Sequence, residues 1–264
     1  MHQFDRDISL KEEDSNQYSG TMTDNWSING IPNGGYLLAS LANAMLQESD
    51  KKATPTISAS YLSRCNAGEA NFMVEKIAQS KQFNRMQARL VRNGEEKIRA
   101  MGTFAIETNE CFVEQYEQKA PNVPEPDNCI QIPEMPGYTL FEHMDVRLDP
   151  ECAGWMEGRL VEKSEHRGWV RFKDSRPYDL LSIILITDSF PPPVMATQGM
   201  VAWVPTLELS VNIRNMPESE WLKCIFRTRF ITCGLLEEDG EVWDETGQLI
   251  AISRQIAQFR KIAQ

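Results

Sequence analysis

The amino-acid sequence predicts an α+β fold made of two tandem copies of one unit, in which an antiparallel sheet wraps around a single buried helix. Three observations predict it: a repeat offset by 150 positions, an apolar helix-like run in each half, and hairpin turns in matching places. A repeat unit longer than about 100 residues is too large for a solenoid. It indicates a pseudo-dimer within one chain.

The repeat is clearest in two strand-like segments. Residues 55–64 read PTISASYLSR and residues 205–214 read PTLELSVNIR, so that Pro, Thr, Ser and Arg recur at an offset of 150 positions. Further on, a hairpin-like stretch with Asn93-Gly94 at its turn is matched by one with Thr246-Gly247. Asn-Gly favours a two-residue hairpin turn because both residues tolerate positive φ.

Each half also carries one apolar run upstream of its Pro-Thr pair. Residues 34–48 are rich in Ala and Leu, lack Pro and are apolar nearly all round, which predicts a buried helix. The run 178–188 is β-branched in its second half, and periodicity alone does not separate a strand from a buried helix there. Its alignment with the first run favours a helix, ended by three prolines.

The order of elements is therefore the same in both halves: a few strands, one helix and a series of antiparallel strands. A curved sheet around one apolar helix satisfies this order. It is the hotdog arrangement, and two copies make a double hotdog. Residues 1–27 are predicted to be strand-like with polar turns. The other strands are predicted at residues 56–64, 72–80, 86–92 and 97–106, and at 139–147, 153–162, 169–172, 206–214, 222–230, 241–245 and 249–259.

A change of composition predicts where the copies meet. Residues 107–136 contain five prolines and many acidic residues, which is typical of an extended linker over the surface. The predicted division is an N-terminal hotdog at residues 1–106, this linker, and a C-terminal hotdog at residues 137–264.

Composition excludes several classes of function. A formal net charge of −11 disfavours nucleic-acid binding. The most apolar runs are too short to span a bilayer, and the N-terminus lacks the apolar core of a signal peptide. The six cysteines show neither a C-x-x-C pair nor Cys/His metal spacing. These features predict a cytoplasmic protein with reduced thiols, no metal site and no membrane insertion.

Four segments resemble the double-hotdog acyl-CoA thioesterases, in particular the bacterial thioesterase-like branch related to the thioesterase II enzymes. They are GIPNGGYLLA, DSFPPP, WVPTLELSV and WDETGQLIAISRQIA, and the likeness covers roughly residues 26–259 outside the linker. The resemblance implies an acyl-CoA substrate and no cofactor other than the coenzyme A of that substrate. It also implies a homo-oligomer.

The resemblance assigns a site. In that family a catalytic Asp, Thr and Gln lie in the second hotdog, and they correspond to Asp188, Thr206 and Gln255. Asp188 is then the base, and the other two residues position water. Residues 33–36 are the expected substrate-binding segment: Asn33, Gly34, Gly35 and Tyr36 stand where thioesterase II enzymes usually carry FGGQ.

The residues themselves favour a carboxylate base. The sequence has three histidines and no Gly-x-Ser-x-Gly elbow, so a serine triad is disfavoured. Asp188 lies at the end of an apolar helix, where the dipole and apolar neighbours should raise its pKa. The amides of Gly34-Gly35 suit polarisation of a thioester carbonyl, although a tight turn into the helix would also require small residues.

The two halves differ, which predicts one composite site per chain. The first half has no acid aligned with Asp188, although Glu48 and Asp50 lie close, and the second half lacks the Gly-Gly helix start. Two other functions stay open. A hotdog dehydratase or hydratase usually requires a histidine near the central helix, and neither helical run contains one. A non-catalytic acyl-CoA-binding protein would not need the acid.

Overall fold

The computed structural model describes residues 1–107 and 113–262, without the side chains of residues 54 and 55. Residues 108–112 of the predicted linker, which include Cys111, lie outside the described residues, as do residues 263–264 of the predicted C-terminal hotdog. The helices are α1 (Gln3–Asp7), α2 (Gly34–Glu48), α3 (Leu140–His143), α4 (Leu180–Ile186) and α5 (Met195–Gln198).

A 14-stranded antiparallel sheet forms most of the molecule. The strands are β1 (Lys11–Asp14), β2 (Gln17–Met22), β3 (Ser27–Ile28), β4 (Ile31–Pro32), β5 (Ala53–Tyr61), β6 (Gly68–Gln79), β7 (Phe83–Arg92), β8 (Glu95–Ala105), β9 (Ile130–Gln131), β10 (Met144–Leu148), β11 (Glu165–Phe172), β12 (Ala202–Trp203), β13 (Thr206–Ile213), β14 (Leu222–Arg227), β15 (Ile231–Thr232), β16 (Leu235–Asp244), β17 (Leu249–Gln258) and β18 (Arg260–Lys261). The order in the sheet is β1-β2-β6-β7-β8-β5-β13-β17-β16-β14-β11-β10-β9, and β15 pairs with β16.

The sheet is symmetric about its centre, where β5 pairs with β13. Ala59 lies opposite Leu209, the residue 150 positions later, while Ser58 faces Ser210 and Ser60 faces Glu208. This pairing maps onto itself when the offset of the repeat is applied, so a pseudo-two-fold axis passes between Ala59 and Leu209. The strands beyond the centre follow in equivalent order on either side. The predicted double hotdog is confirmed, while the exact domain boundaries stay a prediction.

Helix α2 lies against strands of the N-terminal copy and also packs against α4 of the C-terminal copy. Leu38, Ala42 and Met45 are fully buried, which explains why the helix is apolar all round. Asn33 caps its first turn, because the Asn33 Oδ1 accepts a hydrogen bond from the Tyr36 amide at 3.0 Å.

Three local predictions are wrong. Residues 153–162 contain a 3₁₀ turn, Gly154–Glu157, ended by Gly158 at φ 76°, and no strand. Residues 139–147 begin with α3 before β10 starts. The first residues are not strand-like either, because His2 caps the short helix α1.

The second central helix is shorter than the predicted run 178–188. Asp179 forms a capping box with Ser182, so helical residues begin only at Leu180. The hairpin prediction is confirmed, since Asn93 and Gly94 adopt φ values of 53° and 77° between β7 and β8.

Within residues 1–107 and 113–262, no helix combines the length and the apolar character that crossing a membrane would require.

Candidate active site

Asp188 lies where the two central helices meet. It follows α4 and faces the first turn of α2, and its Oδ2 accepts hydrogen bonds from the Gly35 amide and from Asn33 Nδ2, both at 2.9 Å. Asn33 Nδ2 also donates to the Asp188 carbonyl at 2.7 Å. Asn33 thus holds the acid with its amide nitrogen and caps α2 with its amide oxygen. The structure brings the predicted base from the second copy onto the predicted helix start of the first.

The two glycines allow this close approach. A Cβ on Gly35 would lie 2.9 Å from the Ile184 carbonyl oxygen and 2.9 Å from the Cβ of Asp188. A Cβ on Gly34 would lie 3.0 Å from Asp188 Oδ2. Small residues are therefore required by the packing of α2 against the end of α4. The Gly35 amide donates to the Asp188 carboxylate, whereas the sequence suggested a thioester carbonyl as its partner.

Replacing Gly35 with alanine is expected to lower the free energy of unfolding by about 1–3 kcal/mol, because the added methyl group would overlap backbone atoms of α4. Chemical denaturation of the purified variant measures this loss. Gln47→Ala, on the exposed end of the same helix, is the matched control and should leave stability unchanged. Equal stability of Gly35→Ala and wild type would contradict the packing described for this helix start.

The environment of Asp188 changes its acidity. Burial raises the pKa of Asp188 to about 6, and the hydrogen bonds from Gly35, Asn33 and Gly34 act in the opposite direction. The predicted rise in pKa is therefore present, with burial as its main cause. A carboxyl group of this pKa is ionised at neutral pH and still accepts a proton readily, as a general base must.

Thr206 and Gln255 form a second group of site residues. Gln255 Nε2 donates to Thr206 Oγ1 at 2.7 Å across the neighbouring strands β13 and β17. Gln255 is buried, and α4 packs against β13, the strand that Thr206 begins. In the described ranges no direct hydrogen bond joins Asp188 to either residue.

Tyr36 lies deeper in the first copy than the sequence suggested. Its side chain is fully buried, its hydroxyl donates to the Asp7 carbonyl at 2.9 Å, and it accepts from the Thr23 amide at 3.2 Å. Its ring stacks with that of Trp26. What Tyr36 offers the site is its backbone amide, which holds the side chain of Asn33.

Two residues beside the site were not identified from the sequence. The hydroxyl of Tyr61 donates to the Gly34 carbonyl at 2.7 Å, and the charge of Asp188 adds to burial in raising the pKa of Tyr61. Glu238 is buried opposite Gln255, and burial and the charge of Asp188 raise its pKa well above the usual range. Alternation along β16 would have placed Glu238 on the inner face with Leu236, had the predicted strand begun before residue 241.

The corresponding end of α2 holds an ion pair instead of an acid with a raised pKa. Lys51 is 6% exposed, and its Nζ lies 3.2 Å from Asn84 Oδ1 and 3.5 Å from Asp50 Oδ2. Asn84 in turn donates to Asp50 Oδ1 at 2.5 Å, which lowers the pKa of Asp50. Asp50 is thus exposed and bound to partners, in contrast to Asp188.

Among residues 1–107 and 113–262, no three His, Cys, Asp or Glu side chains are grouped so that they could hold an ion.

Two models of known protein domains match this chain. The model of the acyl-CoA thioesterase N-terminal domain matches residues 22–105, and that of the acyl-CoA thioesterase C-terminal domain matches residues 124–259. The chain belongs to the acyl-CoA thioesterase family. A comparison of the sequence with curated proteins gives no significant match.

Solved structures of similar fold include a protein from Thermobifida fusca YX assigned provisionally as a thioesterase II, with 23% identity and a TM-score of 0.91 over 99% of this chain and 98% of that one. A protein of unknown function with a hotdog fold from Alicyclobacillus acidocaldarius is 18% identical, with a TM-score of 0.88 over 100% of both chains. An acyl-CoA thioesterase II from Mycobacterium marinum is 17% identical, with a TM-score of 0.78 over 98% of this chain and 99% of that one. At these identities the likeness shows a shared fold for this member of the acyl-CoA thioesterase family.

Proposed function

We propose that this member of the acyl-CoA thioesterase family hydrolyses an acyl-CoA thioester to the free acid and coenzyme A, with Asp188 as general base. The observation that carries the proposal is the Asp188 carboxyl itself. It has a pKa of about 6, and its Oδ2 is held by Asn33 and Gly35 at the junction of the two copies.

In the proposed reaction Asp188 removes a proton from a water molecule as the water oxygen attacks the thioester carbonyl carbon. The carbon–sulfur bond then breaks, and the departing thiolate takes up the proton from Asp188. Asp188 is left ionised for the next cycle. The reaction needs no metal and no cofactor beyond the coenzyme A of the substrate.

Thr206 and Gln255 are proposed to position the water. Because Gln255 Nε2 donates to Thr206 Oγ1, the hydroxyl proton of Thr206 is directed away from Gln255. It can donate to the attacking water or to the oxygen of the substrate. The pair would thus act as one unit in which Gln255 sets the direction of the Thr206 hydroxyl.

This unit predicts non-additive kinetics. Thr206→Ala and Gln255→Ala are each expected to lower kcat by about tenfold, and the double variant should be little worse than either one, because both changes disrupt the same arrangement. Steady-state rates of the three variants test this. The exposed change Ser210→Ala on the same strand is the control. Effects of the two single changes that multiply would show that the residues act independently.

A panel of acyl-CoA thioesters of increasing chain length, assayed by release of the free thiol, tests the activity. Hydrolysis is supported if the wild-type protein turns over at least one of these thioesters and Asp188→Asn loses this activity. Tight binding without thiol release would instead support a non-catalytic acyl-CoA-binding protein.

We also propose, by family resemblance alone, a cytoplasmic homo-oligomer. Light scattering should then give a multiple of the chain mass.

A further inference from the structure

Glu238 is a carboxyl group enclosed in the inner face of the C-terminal sheet. It is 7% exposed and lies on β16 with alternate residues Leu236, Gly240 and Val242, all buried on the same face. Its cross-strand neighbour on β17 is Gln255. A buried carboxyl group requires hydrogen-bond partners, because an unpaired polar group inside a protein costs free energy.

Gln255 has one atom left to pair. Its Nε2 donates to Thr206 Oγ1, whereas its Oε1 is buried and has no partner among the described residues. Thr228 Oγ1 is in the same situation. Thr228 follows Arg227, and the pairing of β14 with β16 ends where Arg227 lies opposite Asp239, the residue after Glu238. The cross-strand neighbour of Glu238 on β17 thus carries a buried acceptor that lacks a donor among the described residues.

Burial and the neighbouring charges favour the neutral, protonated form of Glu238. Burial comes first, followed by the charges of Asp188, from the loop after α4, and of Asp239 on the same strand; all three raise the pKa of Glu238. His166 on β11 is fully buried, and burial lowers its pKa to about 4, so it is uncharged at neutral pH. Arg254 on β17 is largely exposed and paired with Asp239.

The charged groups at the end of β14 also have other partners. Arg229 pairs with Asp239, and Arg227 bridges Glu165 and Glu241. A neutral Glu238 has one hydroxyl proton to donate.

We propose that Glu238 is a positioning residue for the hydrolysis reaction: its carboxylic acid donates a hydrogen bond to Gln255 Oε1 and fixes the amide so that Nε2 donates to Thr206. The inference rests on the proposed function. The proposed arrangement is a chain of hydrogen-bond donors that runs from Glu238 through Gln255 and Thr206 to the attacking water. No proton leaves Glu238 during the reaction.

The opposite arrangement is an ionised Glu238 that accepts a hydrogen bond from the amide nitrogen of Gln255. The amide would then be turned over, and its oxygen would accept the hydrogen bond of the Thr206 hydroxyl. That proton would no longer reach the water. Ionisation of Glu238 at alkaline pH is thus expected to lower kcat.

Two variants separate positioning from simple packing. Glu238→Gln keeps an N–H donor of the same shape and should retain kcat within about twofold, whereas Glu238→Met keeps the bulk without a donor and should lower kcat about tenfold with KM unchanged. The alkaline fall in kcat should disappear in Glu238→Gln. Adding Glu238→Met to Gln255→Ala should cause no further loss. Denaturation curves test whether each variant is folded.

Several outcomes would overturn the proposal. A Glu238→Met variant with the wild-type kcat would show that the donor has no role. A Glu238→Gln variant as slow as Glu238→Met would show that the acid proton itself, and not a donor in its place, is used. A double variant much slower than Gln255→Ala would show that Glu238 does not act through Gln255.

Infrared difference spectroscopy tests the hydrogen bond without any turnover. The spectrum of the wild type minus that of Glu238→Gln at pH 8 should contain the carbonyl stretch of a protonated carboxyl group. Gln255→Ala should move this band to higher frequency. A carboxylate band in its place would overturn the proposal even in an active enzyme. A wild-type protein that shows the acid band but cleaves no thioester would instead refute the proposed function, and the positioning role with it.

Discussion

Replacing Asp188 with asparagine is expected to lower kcat by about 10²–10⁴-fold, the usual effect of removing a general base. Asparagine has the same shape and can still accept the hydrogen bond of the Gly35 amide through its oxygen. The structure at the junction of α2 and α4 should therefore be retained while the base is lost. Thiol release from a good acyl-CoA substrate under saturating conditions measures the change.

A matched control is Asp50→Asn, at the corresponding end of α2. This acid is exposed and paired with Lys51 and Asn84, so its replacement should leave kcat within about twofold of wild type. An unchanged rate in Asp188→Asn would refute Asp188 as the base. If Asp50→Asn were the slow variant, the active site would lie at the end of the first helix instead.

The pH dependence of activity should follow the ionisation of Asp188. Because burial raises its pKa to about 6, kcat should be constant above that pH as far as pH 8, before the alkaline fall expected from Glu238. Below the pKa of Asp188, kcat should fall by about tenfold for each pH unit. A rate profile between pH 4 and 8 tests this, and the residual activity of Asp188→Asn should lack this transition. A wild-type profile that is level down to pH 4 would show that no group of this pKa is needed in its ionised form.

Stability should change in the opposite direction. The pKa of Asp188 is higher in the folded protein than its ordinary value of 3.8, so the folded state holds a proton more tightly than the unfolded chain. Stability should therefore fall as pH rises from about 4 to 6 and stay lower above that range. Asp188→Asn removes the charge and should raise the free energy of unfolding at pH 8 by up to about 3 kcal/mol.

Denaturation of the wild type and of Asp188→Asn at pH 4 and pH 8 measures this difference. The variant should gain stability only at the higher pH. A loss of stability at pH 8 would show that the hydrogen bonds from Asn33 and Gly35 outweigh the cost of burying the charge.

The sequence alone was enough to predict the architecture, because the repeat lies in the two strands that pair at the centre of the sheet. Residues 55–64 and 205–214 align by sequence, and the same offset describes how β5 and β13 pair. The capping of α4 by Asp179 and the turn at Gly154–Glu157 depend on short-range contacts that apolar patterns do not reveal.

The site was predicted in parts. The family resemblance supplied Asp188, Thr206 and Gln255 as candidates. The hydrogen bond from the Gly35 amide to Asp188 could not be predicted, because it forms only when two helices that are distant in sequence pack together. The burial of Glu238 was not predicted, because the residue lies in an acidic run, EEDGE, that is typical of an exposed segment. Its burial follows from the position of β16 inside the sheet, which depends on pairing with β14 and β17.

The pseudo-two-fold axis has a consequence for how such a chain can change under selection. In a dimer of identical single hotdogs, every substitution appears at both helix ends at once, so a change that removes the base removes it twice. In a fused duplicate the two ends can diverge separately. Here one end carries Asp188, while the other carries Lys51 paired with Asp50. Fusion thus lets one end keep an acid held by backbone and amide donors while the other end acquires an ion pair.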